Sequence, residues 1–282
     1  MERTPLRQTE VTIAGIRSPL IEGGPSEASE AVVFVHGSPG SSRDWEDLAT
    51  QVSTFGRAVA LDMPGFGQAE KPEHFDYTVD GYARHLASAL TELGIRRVHL
   101  VLHDFGGPWG LAWAATHPGA FVSAVLINTG AWLDYHWHVF ARMWQTPLLG
   151  EVSMAMASRA FFHLLLKRDS PRGLPAAYIN QMYDTYDHGT RRAILKLYRA
   201  TAHPAPLAQE LVNALRPLDR PALVVWGKHD RYLPLQLANR QREVFPNAQI
   251  VVLEQSGHWP FADDPAGVAA VVVPFLRQML GE

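Results

Sequence analysis

Short uninterrupted apolar runs alternate with amphipathic stretches along most of the chain. Four such runs come early, at residues 31–35, 58–61, 98–102 and 124–127, and two come late, at 222–226 and 250–253. The runs are rich in Val, Leu, Ile and Ala and do not alternate with polar residues, which is typical of strands buried on both faces of a parallel sheet. The pattern therefore predicts an α/β fold with a mostly parallel central sheet flanked by helices.

The segments between the runs carry apolar residues at helical spacing. A helix is predicted over residues 79–93, ended by Gly94, with others over 108–117 and 268–280. A longer segment differs from the rest, because Trp, Tyr, Met, His and Leu recur in it at helical spacing and prolines interrupt it. The sequence thus predicts two units. A helical cap of residues 132–215 is inserted into a core of residues 1–131 and 216–282.

Composition narrows the chemistry that the chain can perform. Lys and Arg total 25 against 28 Asp and Glu, so the net charge of −3 offers no basic surplus for a nucleic acid. The chain has no cysteine, which excludes disulfides and a thiolate nucleophile. The amino terminus is polar and no apolar stretch is long enough to span a bilayer. We therefore expect a cytoplasmic protein with no nucleic-acid and no membrane partner.

One predicted strand ends in a polar residue on a sharp turn. The run at 98–102 leads into His103, Asp104, Phe105 and two glycines, just before a predicted helix. A side chain on such a turn stands clear of the sheet, beside a helix amino terminus that favours negative charge. Asp104 is therefore a candidate nucleophile, although an aspartate at this position could also serve only as a helix cap.

Other strand ends carry residues that would complete a nucleophilic site. Asp230 follows the fifth run and His258 follows the sixth. Because the carboxyl ends of parallel strands share one edge of the sheet, the three side chains are expected to meet there. The loop after the first run would present the main-chain N–H of Ser38, and the turn that of Phe105, to a developing oxyanion. His36 in that loop is either a substrate contact or a buried turn residue.

These motifs together resemble the α/β-hydrolase fold, with aspartate in place of serine at the turn. His-Asp-Phe-Gly-Gly at 103–107, His-Gly-x-Pro at 36–39 and Asp-Met-Pro-Gly-Phe-Gly at 62–67 are similar to the epoxide hydrolase and haloalkane dehalogenase branch. The resemblance covers essentially the whole chain. It implies a cofactor-free enzyme with a catalytic triad of Asp104, His258 and Asp230, and no metal site.

The two branches differ in the groups that stabilise the leaving atom. Dehalogenases resemble one another in placing Trp directly after the nucleophile, with Asn in the His-Gly loop or another Trp in the cap, whereas this chain has Phe105 and Ser38. Phenylalanine has no N–H to offer a halide. Epoxide hydrolases use tyrosines to protonate the opening ring, and Tyr198 matches one of them in its Tyr-Arg context.

The second ring-opening tyrosine has no single match. Its candidates are Tyr135, Tyr178, Tyr183 and Tyr186, and a histidine at 136 or 138 is a possible substitute. The predicted substrate contacts are His36, Trp144, Tyr178 and Tyr183. A metal site built on the two cap histidines is not expected, because residues two apart do not share a helix face.

The sequence therefore predicts a monomeric or homodimeric hydrolase that acts on a small-molecule substrate. A small, largely apolar epoxide would become a vicinal diol through an aspartyl alkyl ester on Asp104. An ionised carboxylate suits attack on saturated carbon, and His258 would then activate the water that cleaves the ester. Haloalkane dehalogenation by the same triad is the alternative, favoured by the bulky Leu102. A ligand-binding protein without turnover is the alternative from another class, and carboxylester hydrolysis through an acyl anhydride is chemically the least natural.

Overall fold

The computed structural model describes residues 6–282, and within them eight strands form a single sheet. The strands are β1 (Arg7–Ile13), β2 (Ile16–Gly23), β3 (Glu30–Val35), β4 (Arg57–Leu61), β5 (Arg97–His103), β6 (Phe121–Ile127), β7 (Ala222–Gly227) and β8 (Gln249–Leu253). Their order across the sheet is β1-β2-β4-β3-β5-β6-β7-β8. The pairings of β2 with β1 and β4 are antiparallel, and all the others are parallel. The predicted α/β fold with a mostly parallel sheet is confirmed.

Twelve α-helices accompany the sheet within the same residues. They are α1 (Glu46–Val52), α2 (Val79–Glu92), α3 (Gly106–Thr116), α4 (Val139–Gln145), α5 (Leu149–Met156), α6 (Arg159–Leu166), α7 (Ala176–Asp184), α8 (His188–Ala200), α9 (Ala205–Leu215), α10 (Gln236–Arg240), α11 (Pro260–Asp263) and α12 (Pro265–Leu280). Helices α4 to α9 follow one another between β6 and β7 with no strand among them. The boundaries 132–215 for a separate cap stay a prediction, and we use the word cap for this run of helices.

The six apolar runs of the sequence all lie on strands of the sheet. The apolar side chains of β3, β4 and β5 are fully buried, because helices cover both faces of the sheet. Each buried Val or Leu side chain contributes about 1.5 to 3 kcal/mol relative to an exposed one, so these runs dominate the stability of the sheet. This burial explains why unbroken apolar runs, rather than alternating ones, identify the strands.

The hairpin of β1 and β2 is the part of the sheet that the apolar runs do not reveal. Strand β1 is mostly exposed, and its sequence is largely polar. The two strands are joined through Ala14 and Gly15, which both adopt positive φ angles, of 50° and 80°. Such a two-residue turn usually carries Asn or Asp at its first position, so alanine conceals the signal.

The carboxyl ends of the parallel strands lie at one edge of the sheet, where the cap covers them. The residues that follow β3, β5, β7 and β8 there are the ones that the sequence identifies as chemically active. No helix within residues 6–282 is both long and apolar enough to cross a membrane. The geometry at this edge determines what the protein can do.

Candidate active site

Asp104 stands on a strained turn between β5 and α3. Its φ of 49° lies in the left-handed region, which non-glycine residues adopt rarely and mostly at functional sites. The Thr129 hydroxyl and the Gly107 N–H, the latter at 3.0 Å, both donate to the Asp104 carbonyl oxygen. A Cβ at Gly106 would lie 2.7 Å from the carbonyl oxygen of His36, so the turn packs tightly against β3. The turn is therefore held from both sides, and the carboxylate extends above the sheet.

Three buried side chains form one continuous line from nucleophile to acid. His258 Nε2 lies 3.6 Å from Asp104 Oδ2, and His258 Nδ1 lies 2.8 Å from Asp230 Oδ2. The imidazole thus bridges the two carboxylates. The sequence places these three residues at the ends of β5, β7 and β8, and the structure brings them together. This is the geometry of a nucleophile, a histidine and an orienting acid.

The Asp230 carboxylate is fixed by hydrogen bonds to both of its oxygens. Oδ1 accepts the N–H groups of Tyr232, at 2.7 Å, and Leu233, at 2.9 Å. Oδ2 accepts the Asn128 side-chain amide at 2.6 Å in addition to His258. Asn128 directly follows β6 and has a positive φ of 46°. Sequence reasoning missed Asn128, although its place immediately after an apolar run was a usable signal.

The charges of the triad stabilise one another. Burial by itself would lower the pKa of His258, but the charge of Asp230, with hydrogen bonding to both carboxylates and the charge of Asp104, raises it to about 10. Burial would raise the pKa of Asp104, yet His258, His103 and the Ser38 N–H together hold it below its ordinary value. The two shifts together favour an ionised Asp104 carboxylate beside a protonated His258 imidazole.

His103 is a second buried histidine at the site that sequence reasoning did not assign a role. Its Nε2 donates to the carbonyl oxygen of His258 at 2.8 Å, and the two ring centroids lie 4.7 Å apart. Burial lowers the pKa of His103 to about 3, so its ring is neutral at physiological pH. It fixes the loop that carries His258.

The predicted oxyanion donors differ in what they contact. The Ser38 N–H donates to Asp104 Oδ1 at 2.8 Å. Within residues 6–282 the Phe105 N–H forms no hydrogen bond to this carboxylate. Of the two predicted oxyanion donors, only Ser38 therefore contacts Asp104. Oδ1 therefore occupies the position that an oxyanion would take, and Oδ2 is the oxygen turned towards His258.

His36 lies outside the cavity wall, contrary to the predicted substrate contact. Its ring is fully buried. Nε2 accepts the Met63 N–H at 3.0 Å, and Nδ1 donates to the Gly37 carbonyl at 2.8 Å. With both ring nitrogens occupied by main-chain groups, His36 holds the oxyanion loop in place.

A cavity of about 360 Å³ lies between the sheet edge and the cap. Its wall consists of Ser38, Pro39, Asp104, His138, Phe140, Met143, Trp144, Ser153, Met156, Ala157, Phe161, Phe162, Leu165, Leu166, Met182, Tyr186, Ile194, Tyr198, Tyr232, His258 and Trp259. Among residues 6–282, Asp104 provides the one carboxylate on this wall, and His138 and His258 provide its imidazole rings. The remaining surface is mainly apolar, which suits an uncharged, hydrophobic ligand.

The cap residues predicted from the sequence divide into two groups. Tyr198 and Trp144 line the cavity, and their ring centroids lie 4.8 Å apart. Tyr178 and Tyr183 do not line it, because α7 turns them elsewhere. The Tyr183 hydroxyl donates to the Ala157 carbonyl at 3.3 Å, and burial raises the pKa of Tyr178, whose hydroxyl lies beside Asp44. Tyr178 and Tyr183 therefore contribute to packing.

Two further polar rings complete the wall. His138 caps α4, with Nδ1 accepting the Ala141 N–H at 3.2 Å, so its neutral ring carries the proton on Nε2. Burial lowers the pKa of His138 to about 4, which keeps the ring neutral. The Tyr232 ring lies 5.2 Å from that of His138 and 4.9 Å from that of His258. Tyr232 was missed, although its place two residues after Asp230 identifies it as a neighbour.

Asp169 contacts the triad from the cap. Its Oδ2 accepts the main-chain N–H of His258 at 3.4 Å, and burial raises its pKa to about 6. Within residues 6–282, no three His, Asp or Glu side chains are grouped so as to hold a metal ion.

The family of the chain follows from comparison with known proteins. A model of the alpha/beta hydrolase fold matches residues 30–265, which is well over half of the chain. The chain belongs to the α/β-hydrolase family. The match confirms the resemblance that the strand-end motifs indicated, and the eight-stranded sheet has the fold of this superfamily.

Relatives of this α/β hydrolase differ in their reactions. A cis-3-alkyl-4-alkyloxetan-2-one decarboxylase from Xanthomonas campestris pv. campestris is 28% identical over 288 residues, covering 94% of this chain and 93% of that protein. Haloalkane dehalogenase 2 from Mycobacterium bovis is 27% identical over 252 residues, covering 86% of each chain. The epoxide hydrolase CorEH is 16% identical, with a TM-score of 0.82 over 98% of this chain and 100% of its own, a likeness of fold alone.

Proposed function

We propose that this α/β hydrolase is an epoxide hydrolase that forms an alkyl ester on Asp104. The observation that supports this proposal is the pair of donors on the cavity wall. Tyr198 and His138, whose side chains carry a hydroxyl and an Nε2–H, both line the cavity that contains Asp104, and their ring centroids lie 6.1 Å apart. An opening epoxide needs donors of this kind, because negative charge develops on its oxygen.

In the first step, Asp104 Oδ2 attacks a ring carbon and the carbon–oxygen bond of the epoxide breaks. The bonding pair moves to the epoxide oxygen, which takes a proton from Tyr198 while His138 donates a hydrogen bond. The His258 imidazolium holds a proton that can restore the tyrosine hydroxyl. The product of this step is a hydroxyalkyl ester of Asp104.

The second step depends on a change of charge at His258. Esterification removes the negative charge of Asp104, which is one of the groups that raise the pKa of His258. The neutral imidazole then takes a proton from water, which attacks the ester carbonyl. Negative charge develops on the oxygen beside the Ser38 N–H. Collapse of this intermediate breaks the ester bond, and the departing alkoxide takes the proton of the new carboxyl group. The diol is thereby released, Asp104 is again ionised, and His258 keeps the proton that it took from water.

Haloalkane dehalogenation is the second candidate because two indoles line the cavity. Trp144 and Trp259 both border it, and neither indole N–H donates to a protein group within residues 6–282. An indole N–H is a suitable donor to a departing halide. The same nucleophile and histidine would serve this reaction without the oxygen donors.

Trapping the covalent intermediate separates these reactions. In the variant His258→Gln, the ester should form but not hydrolyse. Incubation with styrene oxide should raise the intact protein mass by the whole mass of the epoxide. A bromoalkane would add its mass less that of hydrogen bromide. The control variant Asp104→Ala/His258→Gln should gain no mass, which ties the adduct to Asp104.

Two results would contradict the proposed function. An adduct with the bromoalkane but not with any epoxide would favour dehalogenation. Absence of both adducts, with binding demonstrated by calorimetry, would favour a ligand-binding protein. In a single turnover in heavy-oxygen water, label should first enter Asp104 and not the diol, since water attacks the ester carbonyl.

A further inference from the structure

Exposed apolar side chains are concentrated in one part of the cap. Among residues 6–282, the large hydrophobic side chains that are exposed are Val139, Leu148, Leu149, Val152, Met156, Phe161 and Leu164. All of them lie on α4, α5 and α6 or on the linkers between them. Soluble proteins seldom gather exposed apolar groups in this way unless the surface binds something. We call this set the apolar cap face.

Helices α5 and α6 carry apolar residues both towards the interior and towards solvent. On α5, Met154 is buried while Val152 is 56% exposed, and on α6, Leu166 is buried while Leu164 is 58% exposed. The inward residues suffice to pack the helices against the rest of the cap. Leu148 is 79% exposed and has a φ of 68°, a conformation that leucine rarely adopts. The outward residues therefore have no role in the core.

The apolar cap face is continuous with the cavity. Met156 is 75% exposed and Phe161 is 44% exposed, and both also line the cavity wall. They therefore form a rim through which the cavity meets solvent. A second copy of the chain seated on this rim would obstruct the passage of substrate. A lipid layer would instead extend the apolar path from the cavity into hydrocarbon.

The charge beside this face favours an anionic surface. Residues 139–175 include five basic and two acidic residues, although the whole chain has a net charge of −3. Of the two acidic residues, Asp169 is buried and Glu151 is paired with Arg199 at 2.8 Å. Of the five basic residues, Arg159 and Arg172 are paired with aspartates outside the segment, at 2.6 and 2.7 Å. Lys167 and Arg168, at the end of α6, are exposed and form no salt bridge within the described residues. Apolar side chains flanked by lysine and arginine are typical of surfaces that bind anionic lipid.

We propose that the apolar cap face docks on the surface of an anionic lipid bilayer, from which an apolar substrate enters the cavity through the rim. This departs from the sequence-based expectation of no membrane partner, which considered only segments able to span a bilayer. Surface docking requires no spanning helix. The inference goes beyond the proposed function, because lipid binding can be measured without turnover.

Vesicle flotation of the full chain tests the docking. The wild-type protein should float with vesicles of phosphatidylcholine and phosphatidylglycerol, and should bind pure phosphatidylcholine less. The variant Val152→Glu/Leu164→Glu should reduce the bound fraction about ten-fold or more, because it places two charges in the apolar contact. Neither residue lines the cavity. The control Gln8→Glu/Gln51→Glu adds the same charge at two exposed positions outside the cap and should bind vesicles like the wild type.

The basic residues are tested separately. The variant Lys167→Gln/Arg168→Gln should lose the preference for phosphatidylglycerol, and raised salt should weaken wild-type binding because it screens the charges. Circular dichroism and the thermal midpoint establish that each variant is folded.

Defined results would overturn the proposal. One is the absence of wild-type flotation with either vesicle composition, and another is equal binding by the wild type and Val152→Glu/Leu164→Glu. A dimer in analytical ultracentrifugation that this variant dissociates, without vesicle binding, would assign the face to contact between copies. None of these results affects the adduct assay, which uses dissolved epoxide.

Discussion

The two walls of the cavity are built in different ways. On the sheet side, main-chain hydrogen bonds hold Asp104, Asn128 and Asp230. Asp104 and Asn128 also adopt positive φ angles. On the cap side, aromatic rings meet at centroid distances of about 5 to 6 Å, such as Tyr198 with Trp144 and His138. We call the sheet side of the cavity the rigid wall and the cap side the aromatic wall. We expect the rigid wall to determine which bond forms and the aromatic wall to determine which substrate binds. Variants on the two walls should therefore differ in which kinetic constant changes as well as in the size of the change.

The largest effect is expected at the nucleophile. Asp104→Ala should lower kcat for epoxide hydrolysis by about 10⁴-fold or more, because residues 6–282 place no other carboxylate on the cavity wall. Steady-state kinetics with a dissolved epoxide measure the change. Asp134→Ala, at an exposed position paired with Arg240, is the control and should keep wild-type activity. Residual activity of Asp104→Ala close to the wild-type value would show that another group attacks the substrate.

A smaller loss is expected for the oxygen donor on the cap. Tyr198→Phe should slow formation of the ester about 100-fold, because the epoxide oxygen loses its proton donor while His138 still provides a hydrogen bond. Single-turnover mass spectrometry follows the step. Tyr183→Phe removes a hydroxyl of the same type that bonds to the Ala157 carbonyl, and should leave the rate unchanged. Equal rates for Tyr198→Phe and the wild type would remove Tyr198 from the mechanism.

The coupling between the two carboxylates is tested by titration. The pKa of His258 is raised to about 10 by Asp230 and Asp104. In Asp104→Asn, one negative charge is lost, so the imidazolium is less favoured and the pKa of His258 should fall by about one unit or more. Nitrogen NMR of the imidazole measures it. An unchanged pKa would mean that Asp230 alone sets the charge of His258 and that esterification does not activate it.

The smallest effect is expected on the apolar wall. Leu165→Ala should raise KM for a bulky epoxide about five- to ten-fold and leave kcat nearly unchanged, because it removes contact area without touching the reacting atoms. Leu207→Ala, on α9 and outside the cavity, is the matched control. A fall in kcat with unchanged KM would show that this wall also positions the substrate for attack.

The sequence predicts the rigid wall better than the aromatic one, for physical reasons. Unbroken apolar runs identify buried strands, and the residues that come shortly after each run lie at the sheet edge, as Asp104 and Asp230 illustrate. Helical spacing in the cap shows that rings such as Tyr183 and Tyr198 are at least partly buried, but not whether they face the cavity or another helix. That choice depends on how six helices pack together.

The hairpin of β1 and β2 and the residues that support the triad were also not predictable from the apolar runs. Strand β1 buries little, so its sequence carries no apolar signature. Asn128 and His103 act through hydrogen bonds to residues distant in the chain, and their partners are known only once β6, β7 and β8 are aligned. Tyr232 and Asn128 adjoin features that the sequence does reveal. Residues next to a predicted strand end or a predicted triad member should therefore also be considered as candidate site residues.

Gly37 restricts the size of the group that can attack. A Cβ at this position would lie 2.5 Å from Asp104 Oδ1, so the loop and the carboxylate already touch. One additional methylene in the attacking side chain would either displace the loop or move the carboxylate into the cavity, away from the Ser38 N–H. The variant Asp104→Glu keeps the charge and nearly the same basicity, yet we expect it to be inactive. The length of the attacking side chain would then matter as much as its acidity.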